Sequence, residues 1–350
     1  MSLTSNSPRT VILVALAVGR KSLADHAHRC SPKVFTQPQL FACLALMAFL
    51  RTDYRGIEHH LRDCPYWQQL IGLKRVPDHA TLHRAARRFF ATGNAEKLLA
   101  TTITLMKRRQ RGPSIVHLAA ADSTGLETGH RSAYFVRRKA RGQKHAKNPL
   151  YQTTSYTRFP KLSILIDCDH HLILALLTNT GPKPDINELD GLLSRLPSDV
   201  TLHKLLADAG YDSEPNHQLL RDYHGIRSVM PATHGRPTKN GRRLSGRYRR
   251  LMQSRLRTKR GRQRSGYTQR WQVETVMSMI KRNLGEELSG LSFHARNRQM
   301  RMLAVVHNIM VTCRGGGLRQ SMSGTYFETS CHKHRHRLFF LSFCTRRMED

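Results

Sequence analysis

The chain has 350 residues, 39% of them hydrophobic, which is enough for one large domain or two medium ones with a real core. It carries 58 Lys and Arg against 24 Asp and Glu, a formal charge of +34. A globular chain this basic repels itself unless a polyanion is near, so nucleic acid is the expected partner and an anionic membrane surface the weaker rival. No run reaches the roughly 20 apolar residues of a membrane span. Seven cysteines, scattered and without a C-x-x-C pair, read as reduced thiols of a cytoplasmic protein. No glycine-rich phosphate loop follows a strand, which argues against a kinase or a dinucleotide enzyme.

In chain order, residues 1–33 carry little pattern apart from the apolar run Val11 to Val18. That run follows Arg9 as a secretory signal would, but it lacks a small-residue cleavage site and reads as a helix. From Gln39 to about Arg111 the period is helical, with Leu40, Phe41, Leu44, Met47 and Ala48 on one face. Asp78 stands as an N-cap ahead of Thr81 to Phe90, which sets basic residues beside an apolar face. A DNA-reading helix has that form, and so does an ordinary amphipathic helix with a solvated rim.

After Gly112-Pro113 the period changes. Ile115 to Ala121 reads as one buried strand, and residues 129–160 are polar, basic and without pattern. Leu162 to Ile166 and Leu172 to Leu177 flank Asp167-Cys168-Asp169-His170 as a hairpin, with Asp167 and Asp169 serving the turn. Asp185 to Leu196 reads as a helix stopped by Pro197, and Asp185 as its cap or as a supporting partner of a site. Leu202 to Ala207 is a further strand. Asp212 is the expected cap of a helix running from Ser213-Glu214-Pro215 to Tyr223, and Ile226 to Met230 is again a strand. The alternation predicts an α/β fold layered on a mixed sheet. Thirteen of the 29 residues from 236 to 264 are Lys or Arg and none is acidic, which reads as a flexible loop in the absence of nucleic acid. From Gly315 the pattern ends, and 315–350 is expected to be a disordered basic tail. Its Cys331, His332, His334 and His336 sit among basic residues that oppose a zinc site.

Against this basic background three carboxylates stand out. Asp122 closes the Ile115–Ala121 run, Asp208 closes Leu205-Leu206-Ala207, and Glu274 lies in the final long helix. A carboxylate at the end of a buried strand is costly unless paired, hydrogen-bonded or metal-bound. Two Asp and one Glu suit Mg²⁺, a hard cation that takes carboxylate, phosphate and water oxygens. On a helical wheel at about 100° per residue, Tyr267, Arg270, Glu274 and Lys281 fall within roughly 60° of one another. Beside them runs an apolar stripe of Val273, Val276, Ile280 and Leu284. One face can therefore bury while the next offers a carboxylate between two phosphate-binding cations. Taken alone, Arg270 and Glu274 could equally be a surface ion pair four residues apart.

These residues resemble a known family. Ala-Asp122-Ser-Thr, Leu-Ala-Asp208-Ala-Gly-Tyr-Asp and the spacing Y-x2-R-x3-E-x6-K from Tyr267 to Lys281 look like the DDE transposases of bacterial insertion sequences, in the group with the YREK signature. The resemblance covers about residues 115–312 and implies an RNase H-like catalytic domain over 112–314. It implies that Asp122, Asp208 and Glu274 are catalytic and hold two Mg²⁺ ions, with Mn²⁺ as a substitute. Tyr267, Arg270 and Lys281 would contact DNA near the scissile phosphate. It further implies double-stranded DNA as partner, both transposon ends and target, a homodimer or higher multimer, a cytoplasmic, nucleoid-associated location, and end binding by the helical region 1–111. The rival readings are a catalytically inactive DNA-binding relative and a nuclease on the same fold that cuts without joining.

Overall fold

Six helices come first. Ser7 caps α1 (Pro8–Ser22), and a reciprocal Thr36–Gln39 capping box starts α2 (Gln37–Phe49). There follow α3 (Tyr54–Asp63), α4 (Pro65–Ile71), α5 (His79–Phe89) and α6 (Asn94–Gln110). Helix α2 is buried on every side, as a helix apolar all round must be, and is the centre of this bundle. It meets α1 closely because Gly19 has no side chain: a Cβ there would stand 2.9 Å from the Cα of Pro38. Asp78 caps α5 through the Thr81 amide at 2.6 Å, as expected, and the Val11–Val18 run lies within α1.

The computed structural model describes residues 4–110, 115–128, 158–232 and 244–313, all of them within a single unit spanning 1–315. The basic tail, residues 129–157 and the first part of the 236–264 run lie outside the described residues. The strands are β1 (Ile115–Val116), β2 (Ala119–Gly125), β3 (Glu127–Thr128), β4 (Phe159–Asp167), β5 (Ile173–Gly181), β6 (Thr201–Leu202), β7 (Lys204–Ala207), β8 (Arg227–Val229) and β9 (Glu287–Leu288). The main sheet has the order β5-β4-β2-β7-β8. Strand β4 is antiparallel to β2 and β5, whereas β7 is parallel to both β2 and β8. The remaining helices are α7 (Leu189–Leu193), α8 (Glu214–Gln218), α9 (Arg247–Leu256), α10 (Lys259–Ser265), α11 (Trp271–Leu284) and α12 (Phe293–Thr312). Leu165, Leu189, Leu192, Leu205, Tyr211 and Leu220 form one core beneath the sheet. Helix α12 packs against α6, α2 and β5. An α/β protein with a mixed sheet and a helical N-terminal region is thus what the chain builds.

Several local expectations are corrected. The Ile115–Ala121 run is not one strand: it breaks at His117-Leu118, because β1 leaves the main sheet to pair with β6. Asp122 does not end its strand, since β2 continues to Gly125 on backbone pairing with β4, which needs no apolar side chains. Residues 185–196 form a 3-10 turn and the short α7 rather than one helix, and Asp185 is ion-paired to Lys161 at 2.5 Å instead of capping. Ser213, not Asp212, caps α8, with its hydroxyl 3.1 Å from the Asn216 amide. The described part of the arginine-dense run folds into α9 and α10 rather than a loop.

Helix α12 is stitched to the start of β5. Asn308 Oδ1 accepts from the Ile173 amide at 2.8 Å, and its Nδ2 donates to the Ile173 carbonyl at 2.9 Å. Next to it, buried His307 donates from Nε2 to the His171 carbonyl at 2.9 Å. Burial pushes the His307 pKa down to about 4, against the pull of that carbonyl. An unfolded histidine titrates near 6.5. Above that pH both states are neutral at His307 and the folded protein keeps its full stability. As pH falls from about 6.5 to about 4 only the unfolded chain gains the proton, so stability drops, by roughly 3 kcal/mol at most. His307→Gln should lack this component, which urea denaturation of both proteins at pH 7 and pH 4.5 would read as a difference in slope. Parallel losses in the two proteins would refute it.

Candidate active site

Strands β2 and β7 run parallel with Ala121 opposite Ala207. The next residue on each is a carboxylate, so the pairing brings Asp122 and Asp208 side by side. Each uses one oxygen on its own following backbone: Asp122 Oδ1 accepts from the Ser123 amide at 2.8 Å, and Asp208 Oδ1 from the Ala209 amide at 2.7 Å. The buried alanines 119–121 let α11 lie close over β2. Glu274 sits in the first turn of α11, where a carboxylate is favoured by the helix dipole. One guanidinium links the two elements. Arg270 Nη1 is 3.3 Å from Asp122 Oδ2, and its Nη2 donates to Glu274 Oε1.

The electrostatics agree with this convergence. Burial raises the Asp122 pKa; the Ser123 amide and Arg270 oppose the rise, while Asp208 and Asp185 add to it. Burial opposes the Arg270 charge, but Glu274, Tyr267, Asp122 and Asp208 outweigh it and raise that pKa. Tyr267 lies in the 3-10 turn Tyr267–Arg270 that leads into α11, close enough to Arg270 and Asp208 to feel both. Burial, the largest effect, raises its pKa. Lys281 lines a cleft of about 770 Å³ together with Asp122, Glu274, Arg282 and Arg51. Of the six residues singled out in the sequence, Asp122, Glu274 and Lys281 line this cleft, Arg270 is tied to two of them, and Asp208 and Tyr267 are not part of its lining.

The surrounding layer was not foreseen. Ser123 Oγ lies 3.0 Å from Tyr211 Oη and 2.9 Å from Ser163 Oγ, which ties the strand of Asp122 to the turn after Asp208. Beneath them Glu188 accepts from Ser163 Oγ, from Asn179 Nδ2 at 3.1 Å and from Ser123 Oγ at 3.4 Å. Lys161 Nζ stands 3.2 Å from Glu188 and 2.5 Å from Asp185. Arg51 reaches the cleft from the turn after α2, in a left-handed backbone conformation (φ 54°), with its Nε bonded to the Asn283 carbonyl at 2.9 Å. A Glu in a presumed helix face and an Arg in a turn carry no local mark of such roles. Only the pairing of β4 with β2 and the packing of α2 near α11 bring them in.

A family model for the transposase DDE domain matches residues 117–309, more than half of the chain, from just before β2 into α12. The chain belongs to this family. No curated protein and no solved structure matches it. All six candidate residues of this transposase lie inside the matched segment. Among the described residues there is no ready-made group of three or more His, Cys, Asp or Glu side chains that could hold a metal ion. Carboxylate oxygens of Asp122 and Glu274 do converge at the wall of an open cleft, but on the guanidinium of Arg270, which a hard cation would have to displace to take those oxygens. No helix among the described residues is long and apolar enough to cross a membrane.

Proposed function

We propose that this transposase cuts DNA at the ends of a bacterial insertion sequence and joins the freed 3′-hydroxyl to target DNA. The sheet order, with β2 central between antiparallel β4 and parallel β7, supports an RNase H-like fold. The observation that carries the reading is the in-register pairing that sets Asp122 beside Asp208, with Glu274 joined to Asp122 through Arg270. Asp122, Asp208 and Glu274 would hold two Mg²⁺ ions, or Mn²⁺ in their place. Such ions, when bound, activate the attacking oxygen and stabilise the departing one.

The chain's own residues do the rest. Asp122 and Asp208 are held rigid by their backbone amide bonds and by the Ser123–Tyr211 contact. Arg270 and Lys281 offer a planar fork and a point charge to phosphate, and Tyr267 flanks them. Phosphate neutralisation gives most of the affinity and makes it salt-dependent. The bundle of residues 4–110 reads the element ends, and the protein acts in the cytoplasm, on the nucleoid, as a homodimer or higher multimer on paired ends.

The test uses the genomic DNA flanking the reading frame, supplied as pre-nicked ends with a target plasmid and Mg²⁺. Joined end–target products are expected. Cut products without joining would leave only a nuclease. Binding with neither would leave an inactive DNA-binding relative.

A further inference from the structure

Between Asp222 and Glu274 the sequence contains no acidic residue. Within it, residues 247–265 fold into the two helices α9 and α10, fixed to the body by contacts that are mostly part-buried. Arg249 donates from Nε to Asp212 Oδ2 at 2.9 Å, and the Asp212 side chain is 0% exposed. The Tyr248 and Arg249 amides donate to the two oxygens of Glu214 at 2.9 and 3.1 Å. Tyr248 also bonds Asp222, and Arg221 lies over its ring at 5.1 Å. Met252 and Leu256 are buried.

Helix α10 is a poor helix on its own account, with Lys259, Arg260, Arg262 and Arg264 among its seven residues and a central glycine. Three things hold it. Thr258 caps it through the Gly261 amide at 3.0 Å. Arg262 Nε donates to the Leu256 carbonyl at 2.9 Å. Gly261 lets it approach α9 so closely that a Cβ there would lie 1.9 Å from the Arg255 carbonyl oxygen. The result displays Arg247, Arg250, Arg255, Arg257, Lys259, Arg260, Arg262 and Arg264 to solvent. None of the eight makes an ion pair with a described residue.

Clustered like charges cost folding energy unless a polyanion answers them. Here that cost is borne by a rigid element rather than a loose tail. Its rigid root, Asp212, is four residues beyond Asp208, and α10 leads through Gly266 directly into the turn of Tyr267 and Arg270. We propose that the α9–α10 hairpin is a preformed cradle for the phosphate backbone of duplex DNA, which it holds in fixed position beside the candidate carboxylates. The inference rests on the reading of the chain as a DNA-acting transposase and adds the surface that grips the duplex.

The test replaces Arg257, Lys259, Arg260 and Arg264 together by alanine in the full chain. Binding to duplex DNA is measured without divalent ions across a range of NaCl concentrations, next to thermal unfolding. Each phosphate contact contributes about 0.9 to the slope of log affinity against log salt. The slope is expected to become shallower by about 3, and affinity at moderate salt to fall at least about a hundredfold, with the unfolding temperature kept. An unchanged slope and affinity would overturn the cradle, while end cleavage by the wild type would leave the transposase reading standing. Conversely, a shallower slope in a protein that never cuts DNA would keep the cradle and remove the catalytic reading. Tighter wild-type binding to single-stranded RNA than to duplex DNA would also overturn the proposal.

Discussion

Asp122→Asn is expected to lower end nicking by about a thousandfold or more, the order of loss when one member of a catalytic unit is removed, while DNA binding persists. The substitution is nearly isosteric. The amide oxygen can still accept from the Ser123 backbone N–H, as Asp122 Oδ1 does at 2.8 Å, so β2 keeps its form around this position. What is lost is one negative charge among the three carboxylates, and with it half of the pairing of Arg270. Affinity for DNA should hold or rise slightly, since phosphate meets less negative charge and a freer guanidinium. Gel-shift and nicking assays on the same labelled end would separate the two effects. Nicking within tenfold of the wild type would remove Asp122 from the chemistry.

The second large effect is on stability. Lys161→Met should cost about 3–5 kcal/mol, the range for removing one partner of a buried ion pair. Lys161 has a side chain only 6% exposed and faces both Asp185 and Glu188. Without it two carboxylates are left in one pocket, just under the strand of Asp122, and the Lys183 carbonyl loses the donor that now sits at 2.5 Å. Met replaces the volume but neither the charge nor the hydrogen bonds. Adding Glu188→Gln should recover part of the loss by removing one of the stranded charges. Urea unfolding of the single and double variants measures both. A single-variant loss below about 1 kcal/mol would show that water or rearrangement satisfies the pocket.

The sequence was most legible where chemistry and period coincide. Asp122 and Asp208 each follow a short apolar run, and the parts of those runs in β2 and β7 pair in parallel with Ala121 opposite Ala207. The hairpin was legible from the Asp167–His170 turn, where Asp167 Oδ1 indeed accepts from the Asp169 amide at 2.9 Å. A single helical wheel from Tyr267 to Lys281 does not hold throughout: Glu274 and Lys281 lie in α11, but Tyr267 and Arg270 belong to the 3-10 turn before it, whose tighter winding changes their angular positions. Misreadings arose where tertiary contacts decide. Polar residues 122–125 stay in a strand only because β4 pairs with them. The arginine-rich hairpin looked unfoldable because its anchors, Asp212, Glu214 and Asp222, come from the segment before it. Lys161 was invisible as a buried cation since its partners follow about 25 residues later.

Helix α12 has a wider consequence. Its flanks are claimed at once by the early helices α2 and α6 and by β5, and Asn308 alone bonds both Thr102 and Ile173. A chimera that grafts the first 110 residues onto another catalytic region would therefore strip this helix of matched neighbours. Exchange of end-recognition modules between relatives has to carry compensating changes near the far end of the matched segment, or select partners whose last helix already presents the same surface.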